Sequence, residues 1–281
     1  MRAGWRRLSS ACAIGVAVAA CSTPSAPEQA IPADVGVPTF LSVTNDPGAA
    51  LVVGSHVGVW VSRDVGRTWR FLHPIPRDAT AIGYGPSRVV IARGTLFDRR
   101  DQSLRGVRGL AQVWPFAGRV TAVASEWRAR RLWAVASTGA GAHIAYTNDD
   151  GVSWWVLPAM GLCARPSALA AAPPPRGRTT PVVYAACGAD GLMRSDDLGF
   201  TFQRVAEAPW AVSDVATALG VPGAVVIVTP VVRASRDGGR TWADSALSAM
   251  HVAVDPRNWR LVFAIAENGR LYASVDGGRS F

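Results

Sequence analysis

From residue 39 to its last position the chain alternates short apolar runs with polar, turn-forming clusters. Phe40 to Val43, Ala50 to Val53 and Val59 to Val61 are apolar runs of strand length, and Asn45-Asp46-Pro47-Gly48 parts the first two. The same grammar returns near the C-terminus. His251 to Val254, Leu261 to Ala264 and Leu271 to Ala273 are the runs there, and Asp255-Pro256-Arg257-Asn258 is the turn. Runs this short, bounded by Gly, Pro, Asn and Asp, predict strands joined by tight turns. The fold class is all-β.

An eight-residue phrase marks the end of many of these units. Ser62-Arg63-Asp64-Val65-Gly66-Arg67-Thr68-Trp69 is echoed by Thr147-Asn148-Asp149-Asp150-Gly151-Val152-Ser153-Trp154. It recurs as Ser195-Asp196-Asp197-Leu198-Gly199-Phe200-Thr201-Phe202 and as Ser235-Arg236-Asp237-Gly238-Gly239-Arg240-Thr241-Trp242. The last copy is Ser274-Val275-Asp276-Gly277-Gly278-Arg279-Ser280-Phe281. All five read S/T-x-D-x-G-x-S/T-W/F, which resembles the Asp-box, or BNR repeat, of sialidases, sortilin-type receptors and photosystem II assembly factors. The residue types suit a turn. A carboxylate accepts its own turn's N–H groups, Gly takes a φ other residues resist, and hydroxyls bond to backbone. The aromatic opens the next strand and buries a large apolar surface. A calcium loop at Asn148-Asp149-Asp150-Gly151 is excluded, because no bidentate Glu follows at the required place.

Spacing turns the repeat into an architecture. The aspartates Asp64, Asp149, Asp197, Asp237 and Asp276 are separated by 85, 48, 40 and 39 residues. The first gap is close to two periods, so one unit, near Thr95 to Leu104, has lost its box. Short strands on a period of about 40 to 45 residues mark propeller blades. The expected blades are 39–75, 79–117, 119–158, 166–205, 211–247 and 249–281, six in all. The last ends on the aromatic that should begin its outer strand. Two readings stand: a strand before Phe40, such as Gln29 to Val37, closes the ring, or the coding sequence is truncated.

The first residues read as an address. Arg2, Arg6 and Arg7 form a basic stretch and Ala11 to Ala20 an apolar one, too short to span a bilayer and right for a signal peptide. Val18-Ala19-Ala20-Cys21 resembles a bacterial lipobox, which implies cleavage before Cys21 and its acylation; a plain secretory cleavage is the other reading. The expected organisation is a signal peptide at 1–20, an acylated Cys21 with a Pro-rich tether to 38, and a propeller over 39–281. That places the chain outside the cytoplasm, held to a membrane by lipid.

The formal charge of +9 changes little. Removing the three leader arginines leaves 26 against 20 acids, with no lysine and no arginine run longer than two. Such scatter is not the basic stripe that tracks phosphates, so nucleic acid is not an expected partner. Two cysteines remain in an oxidising compartment, Cys163 and Cys187. Ser167 to Ala171 and Val182 to Ala186 are expected to pair across Pro173 to Pro175, which brings both thiols to one end of the hairpin. A disulfide is the first reading, and two buried thiols that never meet the second. Two cysteines and four dispersed histidines give no metal-ligand spacing, and no cofactor motif is present.

In Asp-box propellers the boxes lie on the turn between a blade's third and fourth strands, and ligand sites in related families lie on the opposite face. The resemblance maps His56, Arg77 with Asp78, Arg93, Arg119, Asp190 and Glu267 to that face. Each also has a plain reading as a solvated turn residue. A sialidase-like hydrolase implies three arginines on a substrate carboxylate, a Tyr nucleophile and an Arg-Ile-Pro motif. Here Val37-Pro38-Thr39-Phe40 stands at the motif's place, and Tyr146 and Tyr272 occupy routine third-strand positions. The expected function is thus a non-catalytic binding or assembly scaffold with a protein or carbohydrate ligand at the cell envelope. The runner-up is a sialidase-like glycoside hydrolase or carbohydrate-binding propeller. Trp127, Trp210 and Trp259 lie outside the boxes and are the candidate platforms for sugar or peptide.

Overall fold

The computed structural model describes residues 29–43, 51–55, 57–71, 81–84, 89–92, 96–99, 110–112, 119–126, 130–138, 141–149, 151–208 and 210–281. Within them the chain forms six four-stranded antiparallel sheets. The chain's first described strand is β1 (Gln29–Ala30). The first sheet is β2 (Pro38–Val43), β3 (Leu51–Ser55), β4 (Val59–Ser62) and β5 (Arg70–Phe71). The second is β6 (Ala81–Tyr84), β7 (Val89–Ala92), β8 (Leu96–Arg99) and β9 (Leu110–Gln112). The third is β10 (Arg119–Glu126), β11 (Arg131–Thr138), β12 (Gly141–Thr147) and β13 (Trp155–Leu157). β14 (Ala168–Ala172), β15 (Val182–Ala186), β16 (Leu192–Ser195) and β17 (Gln203–Arg204) make the fourth. β18 (Asp214–Thr217), β19 (Val225–Val228), β20 (Val232–Ser235) and β21 (Ala243–Asp244) make the fifth. The last holds β22 (Ala249–Val254), β23 (Val262–Ala266) and β24 (Arg270–Ser274).

The first strand of each sheet packs against the first strand of the next, and β22 packs against β2. The molecule is an all-β propeller around a central channel. Strand direction then fixes two faces. Turns between first and second strands and between third and fourth strands lie on one, which is the face of the five boxes. Turns between second and third strands, and the passages from one sheet to the next, lie on the other.

The fourth strand of the last sheet comes from the N-terminal side. β1 pairs antiparallel with β24, Gln29 opposite Leu271 and Ala30 opposite Arg270. Residues 29–38, read from sequence as the end of a tether, are therefore part of the propeller, and the last sheet has a full set of strands. Their Pro-rich sequence is no obstacle. A two-residue strand needs little propensity when β24 offers an open edge, and Pro32 caps a short 3-10 turn (Ala33–Val35) whose Val35 is fully buried. Cys21 and the residues before Gln29 lie outside the described set.

The core is not one mass but a series of seams between neighbouring sheets. Trp133, Ile144, Tyr146 and Leu157 of the third sheet meet Leu169, Val183 and Phe202 of the fourth. Val35, Leu41, Val53 and Trp60 meet Phe263, Ile265 and Leu271 across the closure. Burial of each such side chain contributes about 1.5–3 kcal/mol. Four second strands, β3, β15, β19 and β23, are buried along their whole length, because each is covered on both faces by other sheets. At Gly54 a Cβ would lie 1.8 Å from a ring carbon of Phe40, so β3 can cross β2 there only with glycine.

Candidate functional site

The five repeated turns share one hydrogen-bond pattern. In the first, the Ser62 hydroxyl donates to Asp64 Oδ1 at 2.8 Å and accepts the Gly66 amide at 2.7 Å. Asp64 Oδ1 accepts the Thr68 amide at 2.8 Å, and Oδ2 accepts the Thr68 hydroxyl at 2.6 Å. The same bonds recur at Asp149, Asp197, Asp237 and Asp276. The Gly of the phrase takes a left-handed φ; at Gly239 it is 94°, and a Cβ would press on Val205 at 3.0 Å. Hydrogen bonding to the charged form lowers a carboxyl's pKa. The Thr68 hydroxyl and amide hold Asp64 at about 2. At Asp237 and Asp276 partial burial pushes the other way, but the hydroxyl and amide of Thr241 and of Ser280 prevail and both lie at about 2. These carboxylates are committed to their own turns.

On the opposite face the first strands open the central channel, a cavity of about 210 Å³. Bulges at the entries of β2, β10 and β22 turn a residue of each strand out of register. Hydroxyls ring this mouth. Thr39, Thr121, Ser167 and Ser213 donate to the carbonyls of Gly54, Val135, Ala186 and Val228 on their own second strands. Two charged groups join them. Asp214 Oδ1 accepts its neighbour's amide, from Val215, at 2.8 Å; Oδ2 accepts the Val252 amide at 3.1 Å and faces His251 Nδ1 at 3.2 Å. His251 Nε2 faces the Pro38 carbonyl at 3.3 Å. Both ring nitrogens therefore face acceptors, a pattern only the imidazolium satisfies. Burial lowers the His251 pKa, but the Asp214 bond and charge and the Pro38 carbonyl outweigh it, and the net shift is upward. His251 ties the last sheet to the fifth and to the first, across the seam where the ring closes.

A second opening lies between the fourth and fifth sheets, with a volume of about 490 Å³. Arg178, Arg194, Arg204 and Arg240 line it with Asp196 and Glu207. Arg194 is spent on structure, bonded to Asp196 at 2.8 Å and to the Gly238 carbonyl at 3.1 Å.

The residues mapped from sequence to the ligand face fare unevenly. His56, Arg77, Asp78 and Arg93 lie outside the described residues. Arg119 opens β10. Asp190 and Glu267 sit exposed in the second-to-third turns of the fourth and last sheets, with the fifth sheet between them. Asp214 and His251, which form the best-connected polar pair at the mouth, were not singled out from sequence. The signal available was their shared place at the entry of a first strand. Trp127 is not described, and neither remaining tryptophan is an open platform. Arg233 stacks on Trp210 at 3.6 Å, and Arg236 stacks on Trp259 at 4.2 Å. Cys163 and Cys187 are joined in a disulfide with Cα atoms 6.0 Å apart. It pins the passage between β13 and β14 to the end of β15.

No protein-family model matches the chain, and no curated protein matches it in sequence. Solved structures do resemble it in fold. The GH74 enzyme of Niastella koreensis superposes with a TM-score of 0.58 at 14% identity, over 86% of this chain and 46% of that one. The chain thus spans a little under half the length of that enzyme. YCF48 bound to D1 peptide gives a TM-score of 0.55 at 14% identity, over 84% of this chain and 77% of its own. PorZ, a bacterial surface component of the type-IX secretion system of Porphyromonas gingivalis, gives 0.54 at 14%, over 82% and 30%. At such identities the likeness is one of fold alone, and the fold it supports is the β-propeller.

Proposed function

We propose that this chain is a cell-envelope lipoprotein whose six-bladed Asp-box propeller is a non-catalytic scaffold for binding or assembling protein partners. The observation that carries the scaffold reading is the commitment of the polar groups. Box carboxylates serve their own turns, and Asp214, His251 and the ring of hydroxyls serve the joints between strands and sheets. Six four-stranded sheets, linked first strand to first strand, support the blade count. YCF48 with its D1 peptide and PorZ at a bacterial surface show this fold in roles of that kind, which come to this chain only by analogy.

Anchoring is the testable half. Acylated Cys21 requires detergent for release from membranes, whereas Cys21→Ser exported behind an ordinary cleavable secretory leader is expected to leave in a high-salt wash. If the serine variant still needs detergent, the lipid anchor is wrong.

A further inference from the structure

The exposed positions of the box turns carry an unusual set of side chains. Arg67, Arg240 and Arg279 follow the box glycine in three repeats, and Val152 and Phe200 take that place in the others. Val152 is 74% exposed and Phe200 46%. The position before the aspartate holds Arg63, Arg236 and the 75% exposed Val275 in three repeats. Between Asp and Gly the backbone is left-handed, with φ of 63° at Val65, 79° at Gly238 and 81° at Gly277. A β-branched residue is strained there, yet Val65 keeps nearly half its surface in solvent.

Among the described residues, no ion pair joins a carboxylate to Arg63, Arg67, Arg236, Arg240 or Arg279. The box aspartates are folded onto their own amides, Asp196 is paired with Arg194, and Glu126 with Arg131 at 2.9 Å. Asp255 is buried and accepts the Arg257 amide. Among the described residues, Asp34, Asp190, Glu207 and Glu267 are exposed acids of the other face. Chain direction adds a third observation. β1 runs antiparallel to β24, so its N-terminal end points towards the box face. The eight residue-to-residue steps from Cys21 to Gln29 can reach at most about 28 Å.

We infer that the box face rests on an anionic phospholipid surface, its arginines on lipid phosphates and its apolar tips in the interface. The inference rests on the lipid-anchored reading above, and it adds orientation: the anchor holds the disc at the membrane and the box face sets which side faces out. Arginine heads over a buried apolar stem suit this boundary.

The test uses the chain without its first twenty residues and with Cys21→Ser, so that neither the leader nor acylation plays a part. Binding is measured by sedimentation with vesicles of neutral lipid, with and without about 30% phosphatidylglycerol, each arginine near an anionic surface being worth roughly a fivefold change. At least tenfold stronger binding to the anionic vesicles is expected, lost in Arg63→Gln/Arg67→Gln/Arg240→Gln/Arg279→Gln. Val65→Gly, which installs the residue found at Gly238 and Gly277, is expected to weaken binding several-fold with the melting temperature kept. Equal binding to both vesicles, or an unchanged preference in the fourfold variant, overturns the inference. Capture of a polyglutamate peptide by the same arginines without vesicle binding also overturns it, in favour of an acidic protein. The anchor reading is decided separately, by detergent dependence in cells.

Discussion

Asp237→Ala removes the acceptor of four hydrogen bonds at one turn. The bonds come from the Ser235 hydroxyl at 2.8 Å, the Arg240 amide at 3.0 Å, the Thr241 amide at 2.9 Å and the Thr241 hydroxyl at 2.6 Å. A bond to a charged group contributes about 1.5–3 kcal/mol when buried. Here the Arg240 and Thr241 donors are exposed and regain water, so their loss is discounted heavily. Ser235 Oγ is buried but still accepts the Asp237 and Gly239 amides, so only its own donated bond is lost. The sum is about 1–3 kcal/mol. For a chain of this size that is roughly 3–10 °C in melting temperature. Asp237→Asn keeps one acceptor oxygen and should lose about half as much. The effect should also depend on pH. The folded pKa is depressed from 3.8 to about 2, so the stabilisation is present above the unfolded value and fades as pH falls through that window. Calorimetry at neutral pH and near pH 3 is the assay. A loss below about 0.5 kcal/mol at neutral pH, or one unchanged in acid, would refute the account of the box as a charge-dependent turn lock.

Three other outcomes follow. The His251 pKa is raised, so its contribution is complete below the unfolded value near 6.5 and is lost as pH rises through the folded value. His251→Gln should flatten the decline in melting temperature on the alkaline side, and an NMR titration of His251 at or below the ordinary value would contradict this. Reducing Cys163–Cys187 opens a loop of 24 residues and should cost roughly 3 kcal/mol, read as a lower urea midpoint in dithiothreitol; no shift would show that the bridge constrains nothing. Deleting 22–30 should remove the last sheet's outer strand and lower the melting temperature, and an unaltered melt would show that β1 does not close the ring.

The box repeat was legible because its grammar is local: every partner of Asp64 or Asp237 lies within four residues. The disulfide followed from a hairpin register that a Pro-rich turn announces. What stayed hidden depends on distant chain. Gln29–Ala30 has no alternation or β-branched residue, and its strand exists only because β24 presents an edge. Asp214 and His251 are 37 residues apart, and His251 and Pro38 are 213 apart. Their shared place at the entry of a first strand is the sole local signal, and it does not say which strands meet. Trp210 and Trp259 stood as candidates to inspect because Arg233 and Arg236, which stack on them, are distant in sequence.

The most direct test of the scaffold account is photo-crosslinking in cells with a photoreactive residue placed at Asp190, Glu267 or Val275. A scaffold that rests on its box face should give discrete protein adducts from Asp190 and Glu267, and none from Val275. Absence of protein adducts from both outward positions, or the same adducts from Val275, would contradict it.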